Sequence, residues 1–476
     1  MRGEAKRRGP VLRMGCGCGL LVVALVALAG VMGWGPAPEV EIATEAKGIG
    51  PATPVAVAVR EPLRGLELVR VLLRQGEQEE VVAEKEFTPR PLWQVWGERT
   101  PEATLQVELG KQAQPWLVNG EATIRVVATR PAGVLRQPAP VVEELTLPVR
   151  VTPPTLSVMS TQHYVAQGGS EVVVYRVGEE AARDGVLSGD DFYRGYPLPG
   201  QQGVSFALFG VAYDMGDRER IRLVAEDELG NRAERAFVDR FTPKPIPVSK
   251  IELSDPFLQK VVPEIAAHSP HVGATDDLAA AYVVINDQLR ERNRRQLIEI
   301  AGQSKPQFLW RQHFLPFPSG QVMSAFAVRR HYFYDGEKID EQTHLGFDLA
   351  STQQAPVPAA NDGVVLWASY LGIYGNVVIL DHGYGLLSLY AHLSSIDAQE
   401  GQQVERGQSL GRTGATGLAG GDHLHFATLL QGVPVTPVEW WDAHWIQDRI
   451  DRKLGAALPF GNPAAAAGQA AAGTGE

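Results

Sequence analysis

Cysteine is almost absent from this 476-residue chain, and the two present, Cys16 and Cys18, both fall within one apolar stretch near the N-terminus. The remainder has no thiol for a disulfide framework or a cysteine-ligated metal, so a metal would have to be held by His, Asp or Glu. Positive charge is not in excess either: the formal net charge is -11 and the sequence pI about 5.6. With no basic field to meet a phosphate backbone, nucleic acid is disfavoured as a partner. The glycine-rich segment 411–421 lacks the Gly-Lys-Ser/Thr ending of a phosphate loop and leads into a strand pattern rather than a helix.

One long uncharged run is present, from Met14 to Gly35, preceded by Arg2, Lys6, Arg7, Arg8 and Arg13. A basic flank before about twenty apolar residues predicts a single membrane-spanning anchor with its N-terminus in the cytoplasm. A cleaved signal peptide is the alternative, since Ala27-Leu28-Ala29 offers small residues at a suitable spacing. Either way the rest of the chain is expected outside the cytoplasm, in the periplasm or its equivalent.

A chain of this length should hold about three domains. The pattern predicts a mainly β protein. A basic segment (1–13), the anchor (14–35) and a linker (36–53) precede a β-sandwich over 54–152, where short β-branched runs such as Val55–Val59 and Ala122–Thr129 alternate with turns. A second, immunoglobulin-like β module follows over 153–242. These two modules read as spacers that hold the C-terminal region away from the membrane, or else as binding modules for the cell wall or for cell-envelope protein partners.

Residues 243–305 read as a linker and helical region. Within it, Leu278, Ala281, Ile285, Leu289, Leu297 and Ile300 mark a helix from Asp276 to Gly302. Its Arg290, Arg292, Arg294 and Arg295, interleaved with Glu291 and Asn293, read as a solvated face. Antiparallel strands then fill a domain over 306–442, and the Ala-rich tail (443–476) is expected to be largely disordered.

The chemistry concentrates in that β-rich domain. Asp422-His423-Leu424-His425-Phe426, His344-Leu345-Gly346-Phe347-Asp348 and Tyr390-Ala391-His392-Leu393 together supply four imidazoles and a carboxylate. On a strand, His423 and His425 share one face while Leu424 and Phe426 turn to a core. His344 and Asp348 are four apart, a spacing that places them on one side of a helix or of an extended segment. Gly346 favours the extended form. Two imidazoles and one carboxylate on a zinc ion leave a coordination position for water, whose pKa falls to roughly 7 there, and spare imidazoles can move protons.

From about Pro306 to Trp441 the chain resembles the M23 (lysostaphin/LytM-type) peptidoglycan endopeptidases. The likeness runs through His344 and Asp348, Tyr374-Gly375-Asn376-Val377-Val378-Ile379, the segment around His392, Gly407-Gln408-Ser409-Leu410-Gly411 and the final His423-Leu424-His425. It implies one Zn2+ per chain held by His344, Asp348 and His425. It also implies that His392 and His423 stay unligated and act in catalysis, on a peptidoglycan peptide substrate. Some relatives have lost ligands and activate other wall enzymes instead, and here the set is complete. The family often shows Phe-Gly before the basic pair Arg329-Arg330, where this chain has Phe326-Ala327. Arg329, Arg330, His331, Tyr332 and Tyr334 read either as a groove lining for peptide carboxylates or as an exposed hairpin. His382 reads as scaffold.

Overall fold

The computed structural model describes residues 22–25, 28, 36–88, 98–134, 136–273 and 277–460. Antiparallel β-sheets dominate it. Two compact units are distinguished, one comprising Met1–Pro153 with Glu226–Asn231, the other Pro154–Ala225 with Arg232–Glu476. Apart from 22–25 and 28, the expected anchor lies outside the described residues, and no helix among the described residues is long and apolar enough to cross a membrane.

In the first unit a three-stranded and a four-stranded sheet enclose one core. Strand Thr53–Arg60 buries every second residue, Val55, Val57 and Val59 among them, as the period of two demands. The expected linker at 36–53 is a correction. Glu39–Ala43 pairs antiparallel with Thr53–Arg60, and Ile49 is wholly buried. Glutamates alternating with Val40 and Ile42 disguise this short edge strand.

The second unit corrects the expectation of separate modules over 153–242, 243–305 and 306–442, because one hydrophobic core runs from Leu156 to Leu458. Strand Val204–Gly210 is buried at every position, which requires cover on both faces. Phe206 stacks on Phe308 with ring centroids 5.5 Å apart and meets Tyr384 edge-on at 4.9 Å. The tail is corrected too. Ile446, Ile450, Leu454 and Leu458, at helical spacing, are buried in this core. Lys453 reaches Glu171 at 2.7 Å, both side chains almost solvent-free. Residues 461–476 lie outside the described residues.

The helical region differs as well. Helix Asp255–His268 falls in the expected linker, where Pro256 and Pro263 mask the pattern of Leu258, Val261, Val262 and Ile265. Pro256 is at the tolerated first turn. Asp276 lies outside the described residues, and Asp277 caps the next helix, Leu278–Val284, its side chain accepting from Ala280 N. A π-helical turn, Ile285–Leu289, joins this to helix Arg290–Ala301.

The central sheet runs Gln321–Ser324, Phe347–Ala350, Leu424–Leu430, Leu386–Ala391, Asn376–Asp381, Gly363–Tyr370, Gln403–Val404, all antiparallel. Its register sets Asp348 opposite His425, and His425 opposite Ala391.

Candidate metal centre

That register brings three chain segments to one point. His344 ends strand Glu337–His344 and Asp348 lies in Phe347–Ala350, with a bend at Gly346 between the two strands. His425 lies in Leu424–Leu430, with Leu424 and Phe426 turned into the core. Gly346 is required here, since a Cβ on it would stand 2.6 Å from Cε1 and Nε2 of the His425 ring. Ala327 takes φ +64°, the left-handed conformation glycine adopts without strain, so the turn persists without glycine. Its N–H donates to His344 O at 2.7 Å.

His344 Nε2, Asp348 Oδ1 and His425 Nδ1 lie 2.9, 2.9 and 3.1 Å from one another. A tetrahedral zinc ion with bonds of about 2.0–2.1 Å holds its donors about 3.3 Å apart, so the spacing fits. Proton positions fit too. His344 Nδ1 lies 2.9 Å from Ala325 O, which only accepts, so Nδ1 carries the proton and Nε2 turns a lone pair inward. Electron pairs converging this closely repel unless a cation stands among them. The other carboxylate oxygen of Asp348, Oδ2, accepts from Arg330 Nη2 at 2.6 Å. Burial opposes ionisation of Asp348, but the three neighbouring imidazoles, His344, His423 and His425, outweigh it and hold its carboxyl well below the usual range. Burial lowers His425 to about 4 despite that neighbour.

The other two histidines stand beside this trio. The ring of His392 is 4.9 Å from that of His423 and 5.7 Å from that of His425. His392 follows strand Leu386–Ala391 at φ +63°, an unusual conformation for a residue with a Cβ. Its Nδ1 donates to Thr416 O at 2.8 Å and His423 Nδ1 donates to Gly421 O at 2.8 Å, so both rings are oriented by carbonyls. Burial first, then His423 and His425, push His392 well below its ordinary pKa. His423 moves the other way: burial opposes, but Asp348 raises it. Asp422 supports the loop, accepting from Thr413 Oγ1 at 2.6 Å and Gln354 N at 3.1 Å.

A cavity of about 330 Å³ opens on these groups. Of Arg329, Arg330, His331, Tyr332 and Tyr334, Arg330 and Tyr332 line it. Arg329 and His331 face Glu341 instead, at 3.5 and 3.1 Å, and Tyr334 donates to Asp255. His382 is fully buried, bonded to Asp362 O and Ser388 Oγ, both at 2.7 Å. Sequence reasoning missed the far wall, made by Ile251, Leu253, Phe257, Tyr282 and Arg290, and the cavity role of Tyr374, whose ring is 5.9 Å from that of His425. Arg294 and Arg295 do lie on a solvated face, paired with Glu291; Arg290 does not.

Comparison with known proteins locates this geometry. Residues 342–437 match the model for Peptidase family M23. The chain is 37% identical over 123 residues, 26% of it and 27% of the relative, to the DD-carboxypeptidase/endopeptidase Mpg of Neisseria meningitidis serogroup B. It is 38% identical over 96 residues, 20% of it and 22% of the relative, to the peptidoglycan DD-endopeptidase ShyA of Vibrio cholerae. To the murein hydrolase activator EnvC of Escherichia coli it is 29% identical over 156 residues, 33% of it and 37% of the relative. The chain thus spans little more than a quarter of the first relative's length. Its C-terminal region carries a peptidase domain of family M23.

Proposed function

We propose that the chain is a zinc-dependent endopeptidase that hydrolyses peptide bonds in the stems or cross-bridges of peptidoglycan, with one Zn2+ held by His344, Asp348 and His425. The convergence of those three donors within 3.1 Å carries the reading. Bound there, zinc supplies a Lewis acid for the scissile carbonyl and makes water acidic enough to attack near neutral pH.

The chain's own groups do the rest. Arg330 and Ala325 O fix the orientation of Asp348 and His344. His392 and His423, with Nδ1 tied to carbonyls, present Nε2 for proton transfer and for hydrogen bonding to the oxygen that gains charge. The apolar wall of Leu253, Phe257 and Tyr282 limits water around the bond being cut.

The test is clearing of purified peptidoglycan with and without chelator. His344→Ala and Asp348→Ala should lose both metal and hydrolysis, whereas His392→Ala and His423→Ala should keep the metal and lose about 100-fold or more in rate. Equal metal loss in all four variants overturns this division of roles. A second reading, favoured by the likeness to the murein hydrolase activator, is a silent scaffold for other wall hydrolases; absence of chelator-sensitive clearing under any condition would favour it. The same proposal places the catalytic region outside the cytoplasm, tethered by residues 14–35. Recovery of the full chain in the soluble fraction of lysed cells would refute the tether.

A further inference from the structure

We propose that Arg290 is a specificity-determining residue, reading a free carboxylate on the bound peptide close to the bond that is cut. The inference rests on the endopeptidase reading and deepens it.

The observation is a cation in the cavity wall with no direct carboxylate partner among the described residues. Four charged residues line the cavity: Glu252, Arg290, Arg330 and Asp348. Arg330 is engaged by Asp348 Oδ2 at 2.6 Å, and Glu252 by Lys250 at 2.6 Å. Among the described residues no carboxylate pairs with Arg290. Its Nε donates to Asn286 O at 3.0 Å and its Nη2 to Asn286 Oδ1. Asn286 is itself fully buried and anchored by donation from Nδ2 to Asp340 Oδ2. The neutral Asn286 thus holds the guanidinium in place, with Asp340 one hydrogen bond further on and no carboxylate in direct contact with it. The two N–H bonds of Nη1 and one of Nη2 remain for a ligand.

The backbone is arranged for this placement. The π-helical turn Ile285–Leu289 immediately precedes Arg290. One extra residue in a turn rotates the succeeding side chains by about 100° around the helix axis, and such turns recur at functional sites. Arg290 consequently faces the cavity, while Arg294 and Arg295 of the same helix pair outside with Glu291. A cavity of about 330 Å³ is about 9 Å across, the span of two to three extended residues. A peptide with its scissile bond at the metal centre therefore brings a neighbouring residue within reach of Arg290. A fixed guanidinium binds a carboxylate through two charge-assisted hydrogen bonds, and preorganisation by Asn286 removes much of the ordering cost.

The probe is a pair of cross-linked stem-peptide dimers, identical except that a carboxyl next to the cross-link is free in one and amidated in the other. Calorimetric titration of the chelator-treated full chain should show the free acid binding about 10- to 100-fold tighter. Arg290→Gln should erase that ratio and leave the amide's affinity within about twofold, while Arg290→Lys should recover part of it. With metal restored, the same discrimination should appear in KM with kcat retained. Equal binding of the two peptides, binding of neither, or an equal loss for both in Arg290→Gln overturns the proposal. Discrimination without chelator-sensitive cleavage sinks the endopeptidase reading alone; cleavage of both peptides with equal kcat/KM sinks the carboxylate site alone.

Discussion

Replacing Arg330 with Gln tests whether the metal centre depends on support from outside its three donors. The guanidinium touches Asp348 Oδ2 at 2.6 Å, with the two side chains only 22% and 13% exposed. Oδ1 faces the histidines, so Oδ2 is the handle by which the carboxylate is turned toward them. A hydrogen bond to a charged group contributes about 1.5–3 kcal/mol net, and partial burial places this one within that range rather than near the small values of exposed pairs. At about 1.4 kcal/mol per tenfold, Arg330→Gln should weaken metal binding about 10- to 100-fold. Loss of an outer partner of a metal ligand has the same size, about 10- to 100-fold. Competition against a chelating dye measures the affinity directly. Arg330→Lys should restore only part of it, because an ammonium does not reproduce the planar fork. The reasoning fails if Arg330→Gln binds metal within twofold of the wild type, or if its loss equals that of Asp348→Ala.

Gly346→Ala should push the His425 ring out of place, since the new Cβ would stand 2.6 Å from Cε1 and Nε2 and 2.8 Å from Phe426 O. We expect a cost of about 1–3 kcal/mol in denaturant unfolding together with weaker metal binding, and unchanged values of both would refute the close approach. Burial lowers His382 from 6.5 to about 4, so it is neutral in the fold and takes a proton on unfolding. Its stabilisation is complete above pH 6.5 and is lost as pH falls toward 4, a loss of about 2 kcal/mol at pH 5. His382→Gln should flatten that part of the stability-pH profile, and an unchanged slope between pH 7 and 5 would contradict it. Lys453→Met should cost about 3–5 kcal/mol by stranding the buried Glu171 carboxylate. Adding Glu171→Gln should recover most of the loss, and a double-mutant cycle with no coupling energy would rule out a buried ion pair.

Legibility in the sequence followed the physics of each element. Strands with one buried face, such as Thr53–Arg60, and the strands at Asn376–Asp381 and Leu386–Ala391 stand out because β-branched and apolar residues run between turn signals. The imidazoles and Asp348 were visible as residue types at strand spacings. Their meeting depends on register, Asp348 opposite His425, which no local pattern encodes. Elements that leaned on a neighbour were harder to read. Val204–Gly210 is buried throughout because its second face is covered by Phe308 and Tyr384, distant in sequence. Helix Asp255–His268 was hidden by its prolines, and the segment 443–460 by a composition that tertiary burial overrides. Arg290 shared a charged run with Arg294 and Arg295, and only the π-helical turn separates their fates.

The stretch that matches the family, 342–437, is smaller than the unit that builds the candidate site. Its boundaries include all three metal donors and both free histidines, yet Ala325 and Arg330, which orient two of those donors, precede it. The far wall of the cavity comes from residues 251–290, and the core beneath the sheet continues into 154–242 and 443–460. A shared core of this kind fixes the donors by packing that the family pattern does not contain. It also separates what can vary from what cannot. The donor set must keep its geometry to hold an ion at all, whereas the wall facing it can exchange side chains while the metal centre stays in place. On the proposed reading, selection among peptides therefore resides in the helical flank, and bond cleavage in the sheet.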